Sequence, residues 1–265
     1  MKFLTVIFLC LSLLVHAQAG PGSHRCSIDN TAFKSGEQVD FHVYYTLAGI
    51  WVHAGNVTFT ANLETLDKRP VYHIIGDGST LQSYDWIYKV RDRYESYLDT
   101  ITMLPRKFIR KVNEGGYRKF ETVSFYHESG TAVTNQGMFK IPACTQDVLS
   151  EVYLARNIDF GKHKPGEEIP FDLFLDNEVF HMYVRFLGRE TIKTRYGTFR
   201  TIKFRPLLLK GTIFEGGEKM TVWVTDDGNR LPVRVESPIT VGKIKVDMMG
   251  YKNLRHPLTS LISTR

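Results

Sequence analysis

Six aromatic residues, Trp51, Tyr84, Trp86, Tyr88, Tyr94 and Tyr97, gather in one stretch of the chain, with Arg91, Arg93, Arg106 and Arg110 close by. An aromatic face beside a guanidinium group suits a sugar ring or an acidic amphipathic lipid. Trp51, Trp86, Tyr88, Tyr94, Arg93 and Arg110 are therefore the candidate ligand-binding residues. A plainer arrangement fits the same residues, with the aromatics capping a β core and the arginines facing water.

Catalytic chemistry has less to draw on. The sequence lacks a Gly-x-Ser-x-Gly elbow, a His-Glu-x-x-His pair, a phosphate loop and a Cys-x-x-Cys. Gly76-Asp77-Gly78-Ser79 resembles a nucleophile turn only superficially and reads as a β-turn. His42, His53 and His73 fall on separate expected strands, none with a second ligand at the close spacing that zinc sites use. Asp226, Asp227 and Asn229 offer oxygens of the kind calcium prefers, but Arg230 follows them and a hairpin turn explains all four. Glu167 and Glu168 are adjacent, so on a strand they point to opposite faces. No catalytic residue, metal ligand or cofactor is assigned.

The elements that must position these groups are mostly strands. Val39, Phe41, Val43, Tyr45 and Leu47 alternate with other residues, as do Val57, Phe59, Ala61 and Leu63, and Gly49 allows the turn between them. This pattern predicts a hairpin over 38–63. A third short strand is expected over 71–75, ended by Gly76-Asp77-Gly78, with further strands at 93–98, 107–112 and 119–126. Gln146 to Arg156 is the clearest helix, with Val148, Leu149, Val152 and Tyr153 on one face. Strands resume after Gly166, a hairpin turns at Asp226-Asp227-Gly228-Asn229, and Leu254 onward is expected to be a loosely held tail.

The N-terminus gives an address. Lys2 precedes a 13-residue run, Phe3 to Val15, interrupted only by Thr5 and Ser12, and Ala17-Gln18-Ala19 offers a small-x-small cleavage site. This is the layout of a secretory signal peptide, and the run is shorter than the ~20 residues that span a bilayer. The mature chain is expected to begin near Gly20 and to be soluble, exported and not integral to a membrane. Export removes nucleic acid, ATP and NAD from the expected ligands. Cys10 lies inside the apolar run, whereas a lipoprotein cysteine would follow it. A formal net charge of +6 is a mild excess that permits, without requiring, attraction to acidic glycans or headgroups. Cys26 and Cys144 remain after cleavage; an oxidising compartment would allow a disulfide, and their distance along the chain leaves the pairing open.

Several ordered motifs carry a family resemblance. They are Phe33-Lys34-Ser35-Gly36-Glu37, Asp92-Arg93-Tyr94-Glu95-Ser96-Tyr97-Leu98-Asp99, and Pro142 with Gln146-Asp147-Val148-Leu149-Ser150, Tyr153 and Arg156. Gly188-Arg189-Glu190-Thr191-Ile192-Lys193-Thr194, Gly197-Thr198-Phe199, Val222-Trp223-Val224-Thr225-Asp226-Asp227 and Leu231-Pro232-Val233-Arg234 complete the series. Together they resemble the exported bacterial family called domain of unknown function 3108. The resemblance implies an envelope location, a β-rich fold and no activity to carry over.

The expected fold is mainly β: a large antiparallel, curved sheet, either an open half-barrel or sandwich-like, with one central helix near 146–156. Residues 1–19 are the signal peptide, and 20–265 form one β-rich domain, with two β halves around the helix as a variant. The expected function is non-enzymatic binding of an amphipathic, glycan-type or lipid-type ligand in the periplasm. A structural partner in an envelope assembly is the alternative. A glycan hydrolase is the third reading, and it requires two carboxyls ~5–9.5 Å apart across a cleft.

Overall fold

A computed structural model describes residues 26, 28–47, 50–209, 216–239 and 242–264. The expected signal peptide and its cleavage site at Ala19 lie outside the described residues. Alternation builds one antiparallel sheet. The first eight strands run as a meander: β1 (Glu37–Leu47), β2 (Ile50–Leu66), β3 (Arg69–Thr80), β4 (Arg91–Asp99), β5 (Pro105–Glu114), β6 (Tyr117–Tyr126), β7 (Thr131–Thr134) and β8 (Gly137–Lys140). Helix α1 (Val148–Ala155) follows. A second meander then runs through β9 (Glu168–Leu175), β10 (Glu178–Lys193), β11 (Gly197–Pro206), β12 (Thr221–Thr225), β13 (Pro232–Pro238) and β14 (Lys243–Lys252), and β15 (Leu261–Thr264) pairs with β11. The two meanders join where β1 pairs with β14, which leaves β8 and β9 as the two edges. The molecule is mainly β, with one large open sheet and, among the described residues, a single α-helix. No described helix is long and apolar enough to cross a membrane.

The segment leading into α1 draws the two edges together. Gln146 pairs with the edge strand β9: its amide donates to the Asp172 carbonyl at 2.7 Å, and the Phe174 amide donates to the Gln146 carbonyl at 2.9 Å. Phe174 also reaches across to the first meander, meeting Phe125 at 6.0 Å and Phe139 at 5.8 Å between ring centroids. Arg110 and Lys119 both pair with Asp176 in the β9–β10 turn. The sheet therefore curls into a barrel-like form whose gap is closed by side chains and one short bridge rather than a full ladder.

Helix α1 starts where the sequence provides a cap. Asp147 accepts hydrogen bonds from the Leu149 and Ser150 amides, and the Ser150 hydroxyl accepts from the Asp147 amide, a reciprocal capping box. The fully buried Ser96 hydroxyl of β4 donates to the second oxygen of Asp147 at 2.5 Å, fixing the helix N-terminus to the sheet. Leu149 and Tyr153 enter the core with Phe33, Ile74 and Phe108. At the other end, buried Arg156 makes a bidentate ion pair with buried Glu37 at 2.6 and 3.0 Å. Its remaining N–H groups reach the Asn229 and Ala32 carbonyls, and its guanidinium lies over the rings of Phe33 and Tyr153. Cys26 and Cys144 form a disulfide, with Cα atoms 5.2 Å apart, that ties the N-terminal segment beside the helix lead-in.

Two local expectations need correction, and one hairpin is added. The third strand does not end at Gly76-Asp77-Gly78; β3 runs through both glycines to Thr80, paired on both sides by β2 and β4. Neither glycine has the positive φ of a turn, and Gly76 is there because a Cβ would come within 3.0 Å of the Phe59 ring. The C-terminal tail is held rather than loose. Asn229 bonds the backbone of His256 in both directions, the Ser260 amide donates to Asp227, and β15 completes the attachment. The β7–β8 hairpin was not anticipated, because four-residue strands are too short for alternation to show.

Replacing Arg156 by Met leaves the Glu37 carboxylate buried and unpaired. We expect a loss of about 3–5 kcal/mol in urea denaturation, with part of it recovered in the double variant that also carries Glu37→Met.

Candidate functional site

Strand alternation gives the sheet a face toward α1 and a face away from it. Val57 and Phe59 of β2, Gly76 and Gly78 of β3, and Asp92 and Tyr94 of β4 all point toward the helix. The cross-strand pairs are Val57–Gly78–Asp92 and Phe59–Gly76–Tyr94, so in each row the central position carries no side chain. That bare stripe, roofed by Val148, Leu149 and Val152 of α1, forms a groove of about 390 Å³. A Cβ built on Gly78 meets nothing nearer than Val57 at 3.8 Å, so the groove is open above it.

The groove is apolar along most of its length and has a polar end. There Glu114 is hydrogen-bonded to Asp92, and its carboxyl is pushed up to about 7, first by burial and then by Asp92. Tyr94 is pushed up to about 12 by burial, which the neighbouring Arg110 partly offsets. Arg110 is itself held by Glu121 at 2.7 Å and by Asp176, while its buried Nε has no hydrogen-bond partner among the described residues. On α1, the half-buried Glu151 has no partner for its side chain among the described residues; burial, with Asp147 adding, pushes it up to about 8. Asp147 rises to about 6 by burial, against the hydrogen bonds from Ser96, Ser150 and Leu149 that favour its anion. Burial thus makes Glu114, Asp147 and Glu151, all on the helix side of the sheet, hold their protons more tightly than they would in water.

The six candidate binding residues do not assemble into one place. Tyr94 and Arg110 are directly opposed on β4 and β5, on the helix side. Arg93 is one residue from Tyr94 and so points the other way, paired with Asp77 at 2.8 Å and Glu95 at 3.0 Å. Trp51 also lies on the far face, under the Lys245 ammonium at 4.2 Å. Trp86, 83% exposed, and Tyr88 sit in the irregular segment between β3 and β4, with Trp86 donating to the Ser83 carbonyl. Sequence reasoning missed Gly76, Gly78, Leu149 and Val152 as groove residues. The available signal was two glycines two apart within a strand pattern, which marks a close approach or a bare face as readily as a turn.

The remaining sequence candidates have structural partners. His73 stands between Glu64 and Glu95 at 2.9 and 3.0 Å, while His42 stacks on His53 at 4.0 Å elsewhere in the sheet. Among the described residues no group of three or more His, Cys, Asp or Glu side chains could hold a metal ion. Asp227 accepts from the Thr225 hydroxyl and the Asn229 amide, building its turn. Asp92 and Glu114 are in direct hydrogen-bond contact, closer than the carboxyl separation of a glycosidase.

Because Glu151 titrates near 8 when folded and near 4.5 when unfolded, the folded chain holds this proton more tightly, so its contribution is intact below about pH 4.5 and is lost as pH rises through 8. The variant Glu151→Gln should match the parent at pH 4 and exceed it by about 1–3 kcal/mol at pH 8.5, as measured by denaturant unfolding across that range.

The chain is similar in fold to a crystallised β-barrel-like protein of domain of unknown function DUF1849 from Brucella abortus, with a TM-score of 0.56 and 9% identity, covering 84% of this chain and 99% of that one. A candidate lipoprotein from Parabacteroides distasonis aligns with a TM-score of 0.39 and 14% identity, covering 85% of this chain and 99% of that one. A candidate exported protein with a YmcC-like fold from Bacteroides fragilis aligns with a TM-score of 0.34, 12% identity and the same coverages. Among curated proteins none matches the chain. Residues 40–249 match the model of the family described as protein of unknown function DUF3108, and the chain belongs to that family.

Proposed function

We propose that the chain is an exported, periplasmic binding protein that holds the apolar part of an amphipathic ligand in the groove between α1 and β2–β4. The observation that carries this reading is the glycine stripe of Gly76 and Gly78 beneath Val148, Leu149 and Val152. Phe59 covers Gly76, but over Gly78 nothing stands nearer than Val57 at 3.8 Å, and a bound apolar group would fill that space. Pockets for small ligands span about 300–1,000 Å³; at about 390 Å³, this one suits a single slim apolar chain. The apolar lining favours an uncharged segment there, and the Asp92–Glu114 end provides hydrogen bonding for a polar head. Export and an oxidising destination are supported by the sequence of residues 1–19 and by the Cys26–Cys144 pairing.

A groove-filling substitution tests this. Gly78→Phe should weaken binding of a fluorescent fatty-acid analogue about tenfold or more while leaving the circular dichroism spectrum unchanged. Val152→Asp, on the exposed helix side of the groove, should weaken it without touching the sheet. Equal binding by all three proteins, or ligand-free native mass spectra of protein purified from its own envelope together with no uptake of the analogue, would sink the reading.

A further inference from the structure

The sheet face turned away from α1 carries a second cavity of about 470 Å³. Tyr44 of β1, Trp51 of β2 and Lys245 of β14 form one side, and the β10–β11 turn brings Lys193 and Arg195 over them. Here the charge does not balance. Arg234 at the base is neutralised by a bidentate pair with Asp247 at 2.7 and 2.9 Å, and Lys245 has only a loose approach to Glu236 at 3.6 Å. Lys193 and Arg195 have no carboxylate partner among the described residues. Arginines elsewhere contrast with this: Arg91, Arg93, Arg110, Arg156 and Arg185 each face one or two carboxylates.

The cations are held in place without being neutralised. Lys245 lies 4.2 Å from the Trp51 centroid and Arg195 lies 4.5 Å from the Tyr44 centroid, so ring faces support both charges. The turn that carries Lys193 and Arg195 is braced by buried Thr194, whose hydroxyl donates to the Gly197 carbonyl and accepts from the Tyr196 and Gly197 amides. The Lys193 carbonyl accepts from Arg234, anchoring the same turn to β13. Two ammonium groups and a planar guanidinium around one concavity match a tetrahedral oxyanion, which takes a fork from arginine and point charges from lysine. The geometry points to a binding site for a phosphate ester, on the opposite face of the sheet from the groove and independent of it. The cavity is larger than a bare phosphate needs, which leaves room for the esterified group.

The ester has two sources, a lipid headgroup or a soluble phosphate, and the test separates them. The full chain, Lys193→Ala/Arg195→Ala, Lys245→Gln, and the charge-matched control Lys162→Ala/Lys164→Ala are titrated with inorganic phosphate and with glycerol phosphate. The same four proteins are sedimented with phosphatidylcholine vesicles with and without phosphatidylglycerol. We expect the site variants to bind about tenfold more weakly and the control to match the parent, at unchanged melting temperature, with affinity falling as salt is added. Binding of the small esters alone assigns a soluble ligand, and variant-sensitive association with the anionic vesicles assigns a headgroup; either supports the site. Failure of the parent to bind any of these probes, or equal losses in the site variants and the control, overturns it. Fatty-acid uptake by Gly78→Phe reads the groove separately, so the two can fail independently.

Discussion

The buried pair between Arg156 and Glu37 stands where the end of α1, the start of β1 and the segments at Ala32 and Asn229 meet. The guanidinium joins the end of α1 to the start of β1, and its remaining donors hold the Ala32 and Asn229 carbonyls. Asn229 in turn bonds the His256 backbone, which passes the constraint to the C-terminal segment. Two charges taken out of water are tolerable only when both are paired and their other hydrogen-bonding groups are used. Here the bidentate geometry, the two carbonyls and the rings of Phe33 and Tyr153 meet that condition. The position of α1 over the sheet, and hence the roof of the groove, rests on this contact at one end and on Ser96–Asp147 at the other.

A curled sheet with one helix inside has two faces with different solvents. Toward α1, burial lifts the pKa values of Asp147, Glu151 and Glu114, so ionising the acids there costs more than it does in water. On the other face, water keeps lysine and arginine charged at little cost, and unbalanced cations can stand on aromatic rings. The same strands therefore present apolar chemistry on one side and anion chemistry on the other. Val43 and Tyr44 illustrate this: they are neighbours in sequence, yet the first lines the apolar groove and the second the cationic cavity.

Much of the architecture was legible in the chain itself. Alternation at Val39–Leu47 and Val57–Leu63 announced β1 and β2, and the spacing of Val148, Leu149, Val152 and Tyr153 announced α1 close to its observed bounds. The ordered motifs implied the family to which the chain belongs. Misreadings arose where a residue type has two uses. Glycine serves turns and also bare strand positions, so Gly76-Asp77-Gly78 read as an end when it is the middle of a central strand. Short polar segments such as 254–260 are held by long-range hydrogen bonds to Asn229 and Asp227, which no local pattern records.

The sequence by itself determined the longer strands and the helix, because periodicity is local and each residue carries its own part of the signal. Which aromatic and basic residues share a face, and which charges are already neutralised, was decided only by tertiary structure. Clustering in sequence put Arg93 beside Tyr94, but the two-residue period of a strand turned them to opposite sides. Register and curl then brought Trp51 to Lys245, nearly two hundred positions away along the chain. Electrostatic balance depends on distances of a few ångströms between side chains, and those distances exist only once the sheet has closed around its helix.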